Sequence, residues 1–338
     1  MVSAFIEIGD IFGHILTGGR FSRICQFAIA PFFFLAACTA NTSDNAAIAA
    51  QGAGWRLAPE SNLNAFFECL EREDITLVSA HRGGPAPGLP ENALETFEAT
   101  LAAAPAMVEF DVAASSDGVL FLLHDDTLDR TTTGAGVASE TPWAAIRTLR
   151  LEDNTGSATA FSPPTLADAL AWAKDKTIVQ VDFKRSARYE DVVAEIVRQQ
   201  AEDRVILIAY TMAQGERLHR LAPAMMISLS VSAQSDLNRA IASGVEADRL
   251  LGFTGIEEPS PRLFSILNNQ DVEVIFGTLG GRSSIDRRIE AEGDDAYYAT
   301  LAGMGVDILA TDRPIAAQAA LDAAGRGAKA GVCGVGRT

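Results

Sequence analysis

Glu109 and Asp111 stand two positions apart in "VEFDV", residues 108–112. The run is otherwise apolar and reads as a buried strand, on which alternate side chains share a face. Two carboxylates side by side in an apolar setting repel each other and resist ionisation. A hard divalent cation between them relieves both problems, and all-oxygen donors suit Mg²⁺ or Ca²⁺ rather than Zn²⁺. Other polar residues sit at similar places. His81 and Arg82 follow the apolar "VSA", His124 follows "FLL", and "VQVDFKR" carries Asp182 and Lys184 in the same two-apart relation. Two imidazoles allow two proton transfers near neutral pH. An arginine fork and a lysine point charge suit an anionic oxyacid such as a phosphate.

These residues converge only if their strands share one end. Short apolar runs recur at 76–80, 107–112, 119–123, 177–183, 205–209, 226–231, 250–254, 272–278 and 306–310. Helical patterns at 92–104, 165–175, 189–201 and 234–244 lie between several of them. Near-continuous apolar strands alternating with helices indicate a parallel sheet covered by helices. Only "AASSDG" separates 112 from 119. That is too short for a parallel crossover, so this pair is expected to be a hairpin turning at Asp117-Gly118. Eight strands remain, which fits an α/β TIM barrel; an open doubly wound sheet is the alternative. In a barrel the C-terminal strand ends form one mouth. Residues 125–164, rich in Gly, Thr, Ser and Pro, are expected to form a loop-rich insertion beside it.

The chain has 338 residues and a formal net charge of −17, which argues against non-specific nucleic-acid binding. Arg20 and Arg23 precede the apolar "ICQFAIAPFFFLAAC", a segment too short for a comfortable membrane span. Its end, "LAAC", resembles a bacterial lipobox with Cys38 as the acylated residue. The expected organisation is a leader at 1–37, a flexible tether at 38–60, the barrel at 61–324 and a disordered tail at 325–338. The chain would then be lipid-anchored on the periplasmic side of a bacterial membrane, the outer one by expectation; plain secretion is the alternative. Cys69 and Cys333 could pair in an oxidising compartment, but the Gly-rich tail around Cys333 argues against it. No protein partner is implied.

The segment "HRGGPAPGLPENALETFEATL" resembles the opening motif of the glycerophosphodiester phosphodiesterase family. "VEFDVAASSDGVLFLLHDDTLDRTTTGAG" resembles that family's Glu-x-Asp, Asp-Gly, His-Asp and Arg-Thr-Thr-x-Gly series in order. "PPTLADAL" and "VDILATDRP" match its later elements. The resemblance spans roughly 76–316 and implies a TIM barrel that hydrolyses glycerophosphodiesters to glycerol 3-phosphate and an alcohol with a divalent metal. It implies His81 and His124 as general acid and base, with Arg82 and Lys184 on the phosphate. Glu109, Asp111 and Asp182 become the metal ligands, although the family usually carries Glu where Asp182 stands; a salt bridge from Asp182 to Lys184 or Arg185 is the plainer reading. Glu91 and Asn92 would help shape the site, with Asn92 also suited to cap a helix. Thr311 and Asp312 would line the mouth or cap the last helix. Many members carry Trp in the penultimate strand; here either Phe276 substitutes for it or the pocket is smaller. The rival readings are a phospholipase C- or D-like enzyme on intact lipid, and a catalytically silent phosphate- or lipid-binding lipoprotein.

Overall fold

The computed structural model describes residues 54–338. Its strands are β1 (Trp55–Leu57), β2 (Leu77–Ala80), β3 (Ala106–Ala114), β4 (Leu120–Leu122), β5 (Val179–Phe183), β6 (Val205–Ala209), β7 (Met226–Ser230), β8 (Leu250–Phe253), β9 (Val274–Gly277), β10 (Ile308–Thr311) and β11 (Val335–Arg337). Neighbours run in the order β2-β10-β9-β8-β7-β6-β5-β3-β4, and β2 also pairs with β3. That extra pairing closes eight parallel strands into a TIM barrel, with β4 folded back antiparallel on the end of β3. Closure, which periodicity cannot reveal, excludes the open sheet. All the expected strands are present, and the hairpin turns at Asp117-Gly118, where Gly118 N–H bonds Ser115 O at 3.0 Å.

Alternation along each strand sorts side chains into two layers. Val108, Phe110 and Val112 face the surrounding helices with Val179, Val181, Leu207 and Leu309. Leu77, Met107, Ile178, Ile206, Met226, Leu251, Ile275 and Ile308 fill the barrel's lower interior. Phe66, Phe67 and Leu70, from helix Leu63–Arg72, pack into this inner cluster from below. The lower end is therefore plugged. At the other end the inward positions turn polar: Ser79, Glu109, Asp111, Gln180 and Asp182.

Two expectations about the termini are corrected. Residues 325–338 are ordered: β11 pairs antiparallel with β1, and Arg337 stacks its guanidinium 3.7 Å from the Trp55 ring centre. The tether likewise ends earlier than residue 60, because 55–57 already belong to that ribbon. Cys333, in the turn before β11, forms a disulfide with Cys69 of the plug helix. Composition reads glycines as disorder, whereas here they make a tight turn fixed by long-range strand pairing. Cys38 and the leader lie outside the described residues. Among the described residues no helix is long and apolar enough to cross a membrane.

The 125–164 segment is loop-rich as expected, with a 3-10 turn at Ala138–Glu140 and a short α-helix at Trp143–Ile146. It has its own small core, Leu128, Ala138 and Ile146 against Phe121 and Leu123.

Candidate active site

Strand register brings the acids together. β3 and β5 pair so that Asp111 lies opposite Asp182 and Glu109 opposite Gln180. One oxygen from each of Glu109, Asp111 and Asp182 lies within 4.8 Å of the other two, and all three residues are buried. Burial, with Asp111 close by, pushes the Glu109 carboxyl well above the usual carboxylate range. Burial acts on Asp111 too, but Lys184 and Arg82 outweigh it and hold its pKa low. Lys184 Nζ lies 2.6 Å from Asp111 Oδ1 and 2.6 Å from Asp182 Oδ2. The salt bridge that sequence offered as the plain reading for Asp182 is thus formed. It does not satisfy the cluster, because Asp182 Oδ1 is buried without a hydrogen-bond partner. Three buried carboxylates, one bearing an unpartnered oxygen, fit a hard divalent cation, which would add the charge their desolvation requires.

His81 and Arg82 begin a single 3-10 turn, His81–Gly83, directly after β2. Arg82 is held at φ 51°, and its amide N–H donates to Glu109 Oε2 at 2.8 Å. Gly83 follows at φ +87°, where a Cβ would meet the Phe97 ring at 2.2 Å, so only glycine fits. Asn92 also has positive φ, 59°. Its side chain donates to Asp111 Oδ2 at 2.8 Å and accepts the Asp111 N–H at 3.0 Å. Asn92 therefore holds Asp111 and does not cap the helix. Leu94–Ala103 begins after Ala93, which provides no side-chain cap bond.

Each histidine is backed by a carboxylate. His81 Nδ1 lies 2.6 Å from Asp312 Oδ1, and His124 Nδ1 lies 2.7 Å from Asp125 Oδ1. With Nδ1–H donating to the acid, Nε2 is the nitrogen left for proton transfer. Burial works against protonating His81, but the Asp312 bond and the charges of Glu109 and Asp312 prevail and raise its pKa. Both rings line one cavity of about 320 Å³ together with Arg82, the three acids and Lys184. Ile208, Phe253, Ile256, Ile275 and Leu279 form its apolar side.

Arg82 is already engaged. Its Nη1 lies 3.1 Å from both Glu91 oxygens, and its Nε sits 3.3 Å from Asp111 Oδ2, an ion pair without an aligned hydrogen bond. Phe276, expected at the mouth, is absent from it. It is fully buried and packs outward against Phe264, ring centres 5.9 Å apart. The odd–even alternation puts Ile275 inside instead, so the aromatic lining comes from Phe253 and Tyr210. Sequence reasoning also gave no role to Tyr210, whose hydroxyl donates to Asp182 Oδ2 at 2.9 Å. Asp125 was legible as the residue after His124. Asp286 carries no local signal, yet it accepts from Thr311 Oγ1, Tyr298 Oη and the Asp312 N–H.

Carboxylate-backed imidazoles facing an acidic cluster that could hold a cation, with arginine and lysine beside them, are groups suited to proton transfer on an anionic ester. On this barrel they suit a hydrolase of phosphate esters. A sequence profile of the Glycerophosphoryl diester phosphodiesterase family matches residues 81–316. The chain belongs to that family. The glycerophosphodiester phosphodiesterase of Caldanaerobacter subterraneus subsp. tengcongensis is 29% identical over 246 residues, 71% of this chain and 95% of that protein. The uncharacterized protein YqiK of Bacillus subtilis is 33% identical over 158 residues, 44% of this chain and 64% of its own length. Among solved structures, a glycerophosphoryl diester phosphodiesterase from Parabacteroides distasonis superposes with a TM-score of 0.72 at 30% identity, covering 80% of this chain and 95% of that one. An Oleispira antarctica phosphodiesterase in complex with the product sn-glycerol-3-phosphate gives 0.59 at 21% identity, covering 73% and 97%.

Proposed function

We propose that this chain hydrolyses small glycerophosphodiesters to glycerol 3-phosphate and an alcohol, with Mg²⁺ or Ca²⁺ held by Glu109, Asp111 and Asp182. The single observation that carries this reading is the cavity in which that buried acidic cluster faces both carboxylate-backed histidines. The cation, when bound, supplies positive charge to the phosphoryl oxygens. His81 and His124 divide the proton work. One takes the proton of the attacking oxygen, which belongs either to water, giving glycerol 3-phosphate directly, or to the neighbouring glycerol hydroxyl, giving a cyclic phosphate that water then opens to glycerol 3-phosphate. The other protonates the alcohol as its P–O bond breaks, a pairing worth about 10²–10⁴-fold per transfer. Arg82 and Lys184 offset the charge that gathers on the non-bridging oxygens. Asp312 and Asp125 hold the rings with Nε2 available.

Cavity size supports the choice of substrate class. A cavity of about 320 Å³ matches a deacylated headgroup ester better than a two-chain lipid. A lipid on Cys38 would tether the chain to a membrane. We propose that anchorage, on the periplasmic side of a bacterial membrane, and the Cys69–Cys333 bond supports an oxidising compartment. The mass of the mature N-terminus tests it.

The deciding assay offers glycerophosphocholine, glycerophosphoethanolamine and glycerophosphoglycerol, with and without EDTA, and measures glycerol 3-phosphate. Turnover is expected to vanish with chelator and in folded His81→Ala and His124→Ala. Turnover that survives all three treatments rejects the mechanism. Phosphatidate or diacylglycerol release from intact lipid, without glycerophosphodiester turnover, makes the chain a phospholipase instead.

A further inference from the structure

The Arg-Thr-Thr-x-Gly stretch, residues 130–134, is not used by the mechanism above, yet the fold goes to some length to place its arginine. Thr132 Oγ1 donates to Leu128 O at 2.7 Å and accepts the Gly134 N–H at 3.0 Å. Thr131 O accepts the Glu152 N–H at 2.8 Å. At Gly134 a Cβ would meet Leu149 Cδ1 at 2.5 Å, so a larger residue there would have to displace the Leu149 side chain. Thr131 and Thr132 are buried, which leaves Arg130 as the motif's outward-reaching member.

Its guanidinium is forked between two carboxylates. Nε lies 2.6 Å from Asp125 Oδ2 and Nη2 2.8 Å from Asp125 Oδ1. Nη1 lies 2.9 Å from Glu91 Oε2, and Nη2 also reaches Glu91 Oε1 at 2.8 Å. Each carboxylate has a second duty. Asp125 holds His124, and Glu91 holds Arg82. The chain His124–Asp125–Arg130–Glu91–Arg82 is thus unbroken and runs from an acid–base group to a phosphate-binding cation. An isolated surface ion pair contributes little. Here the geometry is doubly bidentate, and the Glu91 side chain is only 12% exposed. Without the guanidinium, Asp125 and Glu91 would be two like charges with no shared counter-ion, and each would be free to swing the group it holds.

We propose that Arg130 is a positioning residue for the phosphodiesterase reaction. It sets the spacing between the His124 imidazole and the Arg82 guanidinium and touches neither substrate nor cation. The proposal rests on the hydrolase reading above. Misplacement of a reacting group by about an ångström costs on the order of 10²-fold. The effect should fall on kcat, because the phosphate retains Arg82, Lys184 and the cation cluster in the ground state.

The test measures kcat and KM for glycerophosphoglycerol with wild-type protein, Arg130→Ala and Arg130→Lys, in saturating Mg²⁺ or Ca²⁺. Folding is checked by near-ultraviolet circular dichroism. Expected are a fall in kcat of about 10–100-fold in Arg130→Ala, with KM within about twofold. Millimolar methylguanidinium should restore much of the rate, and methylammonium should not, because only a planar fork spans both acids. Arg130→Lys, which keeps the charge but loses the fork, should stay impaired and serves as the test if the alanine variant does not fold. An unchanged kcat, an effect on KM alone, or a loss that methylguanidinium does not repair in the alanine variant assigns Arg130 to stability and overturns the proposal. Wild-type protein without turnover would sink the hydrolase reading and this one with it. Active wild-type protein beside an unimpaired variant sinks this one alone.

Discussion

His81 and Asp312 are 231 positions apart in the chain, yet His81 Nδ1 lies 2.6 Å from Asp312 Oδ1. The bond joins the end of β2 to the end of β10, adjacent strands of the closed barrel. Asp312 is itself fixed from two sides: Gly280 N–H donates to its Oδ2 at 3.0 Å, and its own N–H donates to Asp286 Oδ2 at 2.7 Å. An acid held this firmly sets the tautomer of the imidazole it backs. Asp312→Asn can offer its amide N–H to Nδ1 and so leave the proton on Nε2. Steady-state kinetics should show kcat reduced about 10²-fold or more, with the thermal midpoint little changed. A variant with full activity would remove the tautomer argument for His81.

The acidic cluster leads to a second expectation. Protein stripped with EDTA and titrated with Mg²⁺ or Ca²⁺ should gain thermal stability, by about 2.7 kcal/mol once the free ion reaches a hundred times Kd. Asp111→Asn removes one ligand charge and should abolish that gain along with activity. Differential scanning calorimetry reads the shift directly. An equal gain in the variant would place the ion somewhere other than between Glu109, Asp111 and Asp182.

Much of this site was readable before the fold was known. Glu109 and Asp111 announce a shared face by their spacing, and parallel strands put every motif residue at one end. What was not readable depends on pairings that local sequence does not encode. Asp182 meets Asp111 through strand register. The resemblance puts an aromatic from the penultimate strand at the mouth and so points to Phe276, but alternation along β9 sends Ile275 inward and Phe276 outward. Gly-rich residues 325–338 look disordered until β1 supplies a partner. Asp286, buried behind Asp312, has no motif at all; it meets the site only because Thr311 and Asp312, at the end of β10, donate to it from far along the chain.

The disulfide yields a third prediction. Cys69–Cys333 closes a loop across 264 positions and ties the plug helix to the terminal ribbon. Removing such a bridge typically costs about 2–5 kcal/mol. Cys69→Ser, or reduction of the wild type, should lower the unfolding free energy measured by chemical denaturation by that order. The mouth lies at the other end of the barrel, so kcat should stay within about twofold. A large loss of kcat in protein that remains folded would show that the plug reaches the site.

The plugged end also carries a pH dependence of stability. Glu273 is buried just before β9, with Oε2 lacking any hydrogen-bond partner. Burial, together with the charges of Asp307, Glu71 and Glu68, pushes its pKa up to about 8 from an ordinary 4.5. Asp307, just before β10, is raised to about 6, first by burial and then by Glu71. Below the ordinary carboxylate range both groups are protonated whether the chain is folded or not, and they add no pH dependence. As pH rises through the window between the ordinary and the raised values, the unfolded chain gives up protons that the native protein keeps. The native state binds more protons there, so stability falls, and the loss from Glu273 is complete only above about pH 8. Glu273→Gln keeps the shape and removes the ionisation. Chemical denaturation should therefore find the variant close to wild type near pH 4, where both side chains are neutral. Near pH 9 it should be more stable by roughly 2–4 kcal/mol, since holding back ionisation by one pH unit costs about 1.4 kcal/mol. A stability difference that does not change with pH would mean that Glu273 ionises as freely in the folded protein as in the unfolded chain.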